Sequence, residues 1–173
     1  MSWTAPQIDR KPPPPLGNER AMLEGWLDFH RQTLLVKCTG LTADQLRLRA
    51  IGPSSLSLLG LVRHMAEVER AWFRRRFAGE HLERIYSSNG RPDVDFDDVD
   101  TADAEADFAT FTREVDLART AARGRSLDDQ FFNPHARVEM DLRWIFVHMI
   151  EEYARHNGHA DLLRERIDGT TGD

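Results

Sequence analysis

The sequence predicts an all-α protein, a four-helix bundle preceded by an extended, proline-rich arm. Four long segments carry apolar residues at helical spacing, and no segment shows a convincing strand pattern. The composition is that of a globular protein, since 40% of the 173 residues are hydrophobic and 30% are charged. A chain of this length forms one domain around one core. We therefore predict an N-terminal arm over residues 1–17 and a helical bundle domain over residues 18–173.

The first elements follow from prolines and helix caps. Pro6 and the four prolines at 12–15 fix φ and cannot donate backbone hydrogen bonds, so the arm should be extended. Asn18 is a favourable N-cap, and the first helix is expected to run from there towards Gly40. Thr42 to Gln45 form a capping-box pattern that predicts a short helix.

The second long helix is predicted to lie in the centre of the domain. It should start among the serines at 54–57 and run to about Phe77. Its apolar residues lie on two sides, whereas a helix that is exposed to solvent on one side needs only one apolar stripe. Residues 79–100, which include the acidic run DVDFDDVD, are predicted to form a long surface loop. Loops of this length are uncommon unless they are functional.

The C-terminal half should contain two more long helices. The third is expected from about residue 103 to Gly124, where a glycine stops it. Residues 125–140 are predicted to connect it to the last helix, with room for a short strand in their second half. The last helix should span 142–168, because Gly169 stands where a helix-terminating glycine belongs.

Charge and cysteine content exclude several classes of protein. The net charge of −6 and the pI of about 5.6 argue against nucleic acid as a partner. The densest basic run is Arg74 to Arg76, with Arg70 nearby. Arg70, Arg74 and Arg75 could face an anionic substrate, although a solvated surface is the default. No segment has the length of a signal peptide or a membrane span, and the single Cys38 cannot form an internal disulfide. We expect a cytoplasmic protein without a membrane partner.

The last helix carries ionisable residues where a core-facing stripe should be aliphatic. At about 100° per residue, His148, Glu152, His156 and His159 fall within one arc of roughly 80° that has aliphatic ends. A buried carboxylate or imidazole must be hydrogen-bonded, paired or bound to a metal. Glu152 and His156 are four residues apart and can reach one ion.

His64 on the second long helix is the candidate third ligand. In the segment LVRHMAEVERAWF, core-type residues flank it. A histidine and a carboxylate on one turn, with a histidine from another helix, form a recurrent divalent-metal site. Three protein ligands leave a position for water or substrate, as in catalytic sites. The alternatives are a hydrogen-bonded core histidine at position 64 and a helix-surface contact between Glu152 and His156.

Two further residues could support this site. Glu67 lies one turn after His64 and could accept a hydrogen bond from it, and the alternative is an ion pair at the surface or between helices. His148 lies one turn before Glu152, where it either lines the cavity or packs as a core histidine.

The order of these motifs resembles the DinB/YfiT-like superfamily over about residues 19–168. The likeness rests on LVRHMAEVE in the second long helix and EEYARHNGHADLLRERIDG in the last. It implies a four-helix bundle that holds a divalent metal, most often zinc or nickel, on His64, Glu152 and His156. Many members have glutamine three residues after the last ligand. This chain has His159 there, which is an additional ligand, a hydrogen-bond partner of a ligand or a proton carrier.

The resemblance also implies a chemistry. The related mycothiol-dependent maleylpyruvate isomerases and other relatives use low-molecular-weight thiols such as mycothiol or bacillithiol. A metal with an open position binds and deprotonates the thiol, and the thiolate attacks an electrophilic carbon. We therefore expect a divalent-metal-dependent enzyme that transfers a thiol to a small electrophile or isomerises it. The alternative is a non-catalytic metal- or ligand-binding stress-response protein. Relatives are often homodimers, so the resemblance implies a homodimer here.

Overall fold

The chain is mostly helical, as the sequence predicts. The computed structural model describes residues 3–87, 90–91 and 93–172. In chain order the elements are α1 Glu19–Cys38, α2 Ala43–Arg47, α3 Leu58–Glu69, a π-helical segment Arg70–Phe77, α4 Val94–Asp97, α5 Ala104–Ala122, β1 Gln130–Asn133, β2 Val138–Asp141 and α6 Leu142–Asp168. Among the described residues, no helix combines the length and apolar character that a membrane span requires.

The helix ends match the caps that the sequence predicts. The side chain of Asn18 accepts a hydrogen bond from the backbone of Ala21 at the start of α1. Thr42 and Gln45 complete a capping box at the start of α2. Gly169 ends α6 with a φ of 78°, a left-handed conformation that favours glycine. Local signals therefore predicted these boundaries correctly.

The core lies where the long helices meet. α1 packs mainly against α6, and α3 packs mainly against α5. The side chains at these contacts are fully buried, and aromatic edge-to-face pairs such as Phe73 with Phe146, whose centroids are 5.6 Å apart, join the segments. The fully buried side chains include Leu27, Leu34, Leu61, Met65, Ile145 and Met149.

The core also contains charged groups that are fully paired. The buried carboxylate of Glu69, at the end of α3, accepts hydrogen bonds from two nitrogens of Arg31 and from the hydroxyl of Tyr153. The buried carboxylate of Glu114 on α5 accepts hydrogen bonds from Arg70 and Arg74 in the π-helical segment. These hydrogen bonds join five elements, α1, α3, the π-helical segment, α5 and α6, at points that the apolar periodicity does not reveal.

Residues 79–100 differ from the surface loop that the sequence predicts. Their last part folds as α4 and packs against α3, with Val94, Asp95 and Val99 buried. A close approach at Gly60 permits this packing, because a Cβ atom there would lie only 2.8 Å from Cδ1 of Phe96. The prediction of a wholly exposed loop was therefore wrong for this part.

The connector before α6 contains a small antiparallel hairpin. β1 pairs with β2, with Phe131 opposite Met140. Each strand has four residues, which is too short for a clear alternating pattern. A strand in the second half of the connector was correctly anticipated, whereas its partner Gln130–Asn133 was not.

The N-terminal arm lies on its own domain. Ala5 donates a backbone hydrogen bond to Leu41 and accepts one from Gly40, both at 2.9 Å. The ring of Trp3 packs edge-to-face against Phe108 of α5, with the centroids 5.3 Å apart. From Trp3 through residue 17 the arm contains no helix.

Candidate metal centre

The three side chains that the sequence predicts as metal ligands lie together between α3 and α6. His64 lies on α3, and Glu152 and His156 lie one turn apart on α6. One possible ligand atom from each residue lies within 4.8 Å of those from the other two. All three residues are half-buried. The helix packing therefore brings His64 to the pair on α6.

Glu152 lies between two histidines of its own helix. Its Oε2 atom is 3.5 Å from Nε2 of His156, and its Oε1 atom is 3.4 Å from Nε2 of His148. The hydrogen bond with His156 is the main reason that the pKa of Glu152 lies below its usual value. The carboxylate is therefore ionised at neutral pH, which is the form that binds metal.

Asp95 on α4 orients His64. One of its carboxylate oxygens lies 2.7 Å from Nδ1 of His64, and Asp95 is buried. Because a carboxylate only accepts hydrogen bonds, Nδ1 carries the proton and Nε2 of the neutral ring keeps a free lone pair. The ring of Phe96 also packs against His64, with the centroids 5.0 Å apart. Histidines that bind a metal through one nitrogen commonly donate to such a carboxylate through the other.

His159 contacts the opposite side of His156. The Nδ1 atoms of the two rings are 3.4 Å apart, whereas Nε2 of His156 faces Glu152. His159 does not belong to the group of three converging ligand atoms. Burial is the main reason that the pKa of His159 lies below its usual value, and the electrostatic effects of His156 and Arg155 act in the same direction. A neutral His159 in this position can accept a hydrogen bond from Nδ1 of His156, which leaves Nε2 of His156 free.

His148 packs between two tryptophans beside Glu152. Its ring stacks on Trp144 with a centroid distance of 4.8 Å and meets Trp72 edge-to-face at 4.6 Å. Burial lowers the pKa of His148, so it is neutral at neutral pH. His148, Glu151 and Glu152 form a second group of close possible ligands. Glu151 is exposed, however, so this group is the less enclosed of the two.

Glu67 has a different partner from the one suggested by its spacing. Its Oε2 atom accepts hydrogen bonds from the backbone nitrogens of Ile85 and Tyr86, at 2.7 and 3.0 Å. It holds the loop after the π-helical segment against α3. The hydrogen-bond acceptor of His64 is Asp95 instead.

The donor set suits a divalent metal. Two imidazole nitrogens and one carboxylate oxygen are a common ligand combination for zinc and other first-row ions. Tetrahedral coordination with bonds of about 2.1 Å separates neighbouring ligand atoms by about 3.4 Å. Nε2 of His156 and Oε2 of Glu152 are already 3.5 Å apart. Three such ligands leave one or more positions open.

A cavity of about 720 Å³ adjoins this site and is lined in part by His64, Asp95 and Trp72. Its other walls come from the π-helical segment, the loop that follows it and the turn of the hairpin. Its volume is typical of sites for small molecules. A substrate in this cavity would therefore lie next to His64.

Sequence reasoning missed Asp95. It belongs to an acidic run, and such runs are usually solvated. The alternation of Val94, Phe96 and Val99 with the acids was the available signal that part of this segment is buried. The partner of Asp95 lies 31 residues away in the sequence, so no local pattern could have identified it.

Comparison with protein-family models matches the chain to the mycothiol-S-transferase family over residues 22–169. The match includes every residue of the candidate metal centre and more than four fifths of the chain. Searches of curated proteins and of solved structures returned no match. The mycothiol-S-transferase family is DinB/YfiT-like, in agreement with the resemblance seen in the motifs. The chain therefore belongs to the mycothiol-S-transferase family.

Proposed function

We propose that this chain is a divalent-metal-dependent thiol transferase of the mycothiol type, which attaches a low-molecular-weight thiol to a small electrophile or isomerises it. The observation that carries the proposal is the convergence of His64, Glu152 and His156, with Asp95 behind His64. Membership of the mycothiol-S-transferase family supports the thiol and the small-molecule substrate.

His64, Glu152 and His156 would hold the metal, for which zinc and nickel are our candidates. A bound divalent cation with an open position lowers the pKa of a thiol and supplies the thiolate at neutral pH. Asp95 keeps Nε2 of His64 free by accepting the proton of Nδ1. His159 does the same for His156, so its role in this proposal is that of a hydrogen-bond acceptor.

The reacting sulfur must come from a cofactor rather than from the protein. Cys38 is the single cysteine, its side chain is fully buried, and burial raises the pKa of its thiol to about 12. In transfer, the cofactor's thiolate sulfur bonds to the electrophilic carbon, and the leaving group departs with the electron pair of its bond. In isomerisation, the sulfur adds to a conjugated alkene, rotation follows, and expulsion of the thiolate restores the double bond.

Finer features of the fold and its setting also belong to this proposal. The packing of α1 on α6 and of α3 on α5 supports a four-helix bundle of the DinB-like type. We further propose that the protein is a homodimer in the cytoplasm, where low-molecular-weight thiols are kept reduced.

Metal analysis of untagged protein tests the first half of the proposal. The protein, His64→Ala and His156→Ala would be purified in parallel, and their metal content measured by mass spectrometry. We expect about one equivalent of metal in the wild-type protein and a large loss in both variants. His30→Ala, on α1, is the matched control because it removes a half-buried histidine outside the site. Equal metal in all four proteins would refute the metal centre.

A thiol-transfer assay tests the second half. Metal-loaded protein would be supplied with mycothiol and an activated aryl chloride, and product formation compared with that of metal-free protein. We expect turnover that requires the metal and is lost in His64→Ala. Stoichiometric metal without turnover over a panel of thiols and electrophiles would instead favour the non-catalytic binding protein. In that case His159 would be expected to complete a closed site, and His159→Ala would release the metal.

A further inference from the structure

The arginines at the end of the second long helix have two different environments. Arg70 and Arg74 donate to the buried carboxylate of Glu114, at 2.6 and 2.9 Å. Both are half-buried and have Glu114 as a counter-charge. Arg75 and Arg76 instead line the cavity that His64 also lines. The π-helical segment that holds all four is a rare conformation that is often found at functional sites.

Arg76 is the least satisfied of these arginines. Its Nε atom is buried and has no hydrogen-bond partner within the described part of the chain. Its guanidinium lies over the indole of Trp72, with Cζ 4.3 Å from the ring centroid. Burial lowers the pKa of Arg76, and so do the nearby positive charges of Arg75 and Arg84. Arg84 is exposed, but Arg75 and Arg76 are half-buried. Like charges that are held together and partly dehydrated are costly without an anion.

Among the described residues, none of the acidic side chains that line the same cavity forms an ion pair with the arginines that line it, although Oε1 of Glu67 is buried without a hydrogen-bond partner. Glu67 accepts hydrogen bonds from backbone nitrogens, Glu80 is paired with Arg74, and Asp95 is bonded to the histidine of the metal centre. Glu83 is exposed to solvent. Over residues 3–87, 90–91 and 93–172, the structure shows no ion pair to Arg75, Arg76 or Arg84.

A second cavity, of about 600 Å³, provides a contrast. It is also rich in arginine, but its arginines are paired with carboxylates, with one exposed exception, Arg123. The paired residues are Arg20, Arg31, Arg119 and Arg125. Arginine content alone therefore does not distinguish the cavity beside the metal centre, whereas its three arginines without an ion pair among the described residues do.

We propose that Arg75, Arg76 and Arg84 form a subsite for a carboxylate group on the electrophile. The inference rests on the proposed function, because His64 of the candidate metal centre lines the same cavity as these arginines. The planar guanidinium fork matches a carboxylate with two parallel hydrogen bonds. Trp72 adds a flat apolar surface next to it, so the preferred electrophile is an aromatic or conjugated acid. The subsite would hold the acid group while the reactive carbon lies towards His64.

A binding experiment tests the subsite without requiring turnover. Titration calorimetry would compare 3,5-dinitrobenzoate with its neutral amide on the metal-loaded wild-type protein, Arg76→Gln, Arg84→Gln and the control Arg123→Gln. We expect the wild-type protein and the control to prefer the acid by about tenfold or more, the value of a charge-assisted hydrogen bond. Both cavity variants should lose most of that preference. Equal preference in all four proteins would overturn the proposal.

A kinetic experiment separates this inference from the proposed function. Mycothiol would be offered with 4-chloro-3,5-dinitrobenzoate or its amide, so that a carbon–sulfur bond forms, the carbon–chlorine bond breaks and chloride leaves. Each rate is divided by that of free mycothiol, because the two rings differ in reactivity. Arg76→Gln should lower kcat/KM for the acid about tenfold and leave the amide unchanged. If both electrophiles react and Arg76→Gln changes kcat/KM for the two by the same factor, the proposed subsite is wrong. If neither reacts, the proposed function fails, and the calorimetry still decides on the subsite.

The conservative variant Arg76→Lys adds a check against a purely structural role. Lysine keeps the positive charge but cannot form the planar fork. We expect Arg76→Lys to prefer the acid over the amide more strongly than Arg76→Gln does, but less strongly than the wild-type protein. Circular dichroism and the metal content should match those of the wild-type protein in both variants. The subsite would be contradicted if Arg76→Gln lost metal or fold while its preference for the acid stayed unchanged, and Arg76→Lys showed no such loss.

Discussion

Two carboxylates on neighbouring helices, Glu69 and Glu152, have opposite surroundings. Glu69 is completely buried and accepts hydrogen bonds from Arg31 at 2.8 and 2.7 Å and from the hydroxyl of Tyr153 at 2.8 Å. The side chain of Glu152 is 25% exposed, and its ion pairs within the described part of the chain are with imidazole nitrogens, at 3.4 and 3.5 Å. Glu152 directly precedes Tyr153 on α6, so the two environments lie within one helical turn of each other.

The difference shows how this fold separates stability from function. A buried charge must be compensated, and at Glu69 the protein's own donors do so completely. At Glu152 the neighbours are neutral or weakly paired histidines, which can ligate a metal as well as the carboxylate can. We therefore expect substitutions at Glu69 to affect folding and substitutions at Glu152 to affect binding.

The largest effect should come from Glu69→Gln. The substitution keeps the size of the side chain but removes the buried charge partner of Arg31, whose guanidinium keeps only the partly exposed Asp28, so we expect a cost of about 3 kcal/mol of unfolding free energy. Urea unfolding measures this loss. Glu152→Gln is the matched comparison, and its metal-free form should be nearly as stable as the wild-type protein. Equal destabilisation by the two variants would contradict the separation.

Asp95→Asn should weaken the metal centre without removing a ligand. An amide accepts the Nδ1 proton of His64 more weakly than a carboxylate does, so metal affinity should fall about 10- to 100-fold. Competition with a chelating dye measures the affinity. Asp97→Asn, on the same short helix but exposed, is the control and should bind metal like the wild-type protein. Unchanged affinity in Asp95→Asn would show that this carboxylate does not orient His64.

Gly60→Ala should disturb the site from a position one turn before His64 on α3. Its Cβ atom would lie 2.8 Å from Cδ1 of Phe96 and push α4, together with Asp95, away from His64. Overpacking costs about 1–3 kcal/mol, and the better helix propensity of alanine returns about 1 kcal/mol, so the net loss of stability should be at most about 2 kcal/mol. Thermal unfolding and metal titration measure the two effects. Gly158→Ala on α6, whose Cβ atom would meet nothing within 4 Å, is the control and should not lose stability.

A smaller effect should appear as a pH dependence of the unfolding free energy, caused by Glu114, the second buried carboxylate that is paired with arginine. Burial alone would raise the pKa of Glu114, but hydrogen bonds from Arg70 and Arg74 outweigh it and hold the pKa below 4.5. A group whose pKa is lowered by folding stabilises the fold above its unfolded pKa and loses that contribution as the pH falls through the folded pKa. Urea unfolding between pH 7 and pH 3 should therefore show stability falling below about pH 4.5. Glu114→Gln should be less stable at pH 7 and show a shallower fall.

Local sequence patterns could predict the long helices and the three candidate ligands of the site, but not Asp95. Asn18, Thr42 and Gly169 mark helix ends because capping depends on residues within one turn. Glu152 and His156 were identifiable because four-residue spacing places both on one face of α6. His64 was identifiable from the core-type residues around it. Their convergence was an inference that the packing of α3 and α6 supports.

The remaining features depend on contacts between distant segments. Periodicity could not reveal that Glu69 meets Arg31, since 38 residues separate the two. It also could not show which of the consecutive arginines would pair with Glu114, because the π-helical segment changes their directions relative to an α-helix. Asp95 looked like part of a solvated acidic run until α4 was seen to pack on α3.

The hydrogen bond between Asp95 and His64 has a thermodynamic consequence for the segment that contains α4. It joins groups 31 residues apart, so His64 is oriented only while α4 is docked. A ligand that binds the docked state alone stabilises that state by mass action. Metal loading should therefore slow amide hydrogen exchange in Val94–Asp97, far more than in β1 and β2. The segment that carries Asp95 would in this way report whether the metal centre is filled.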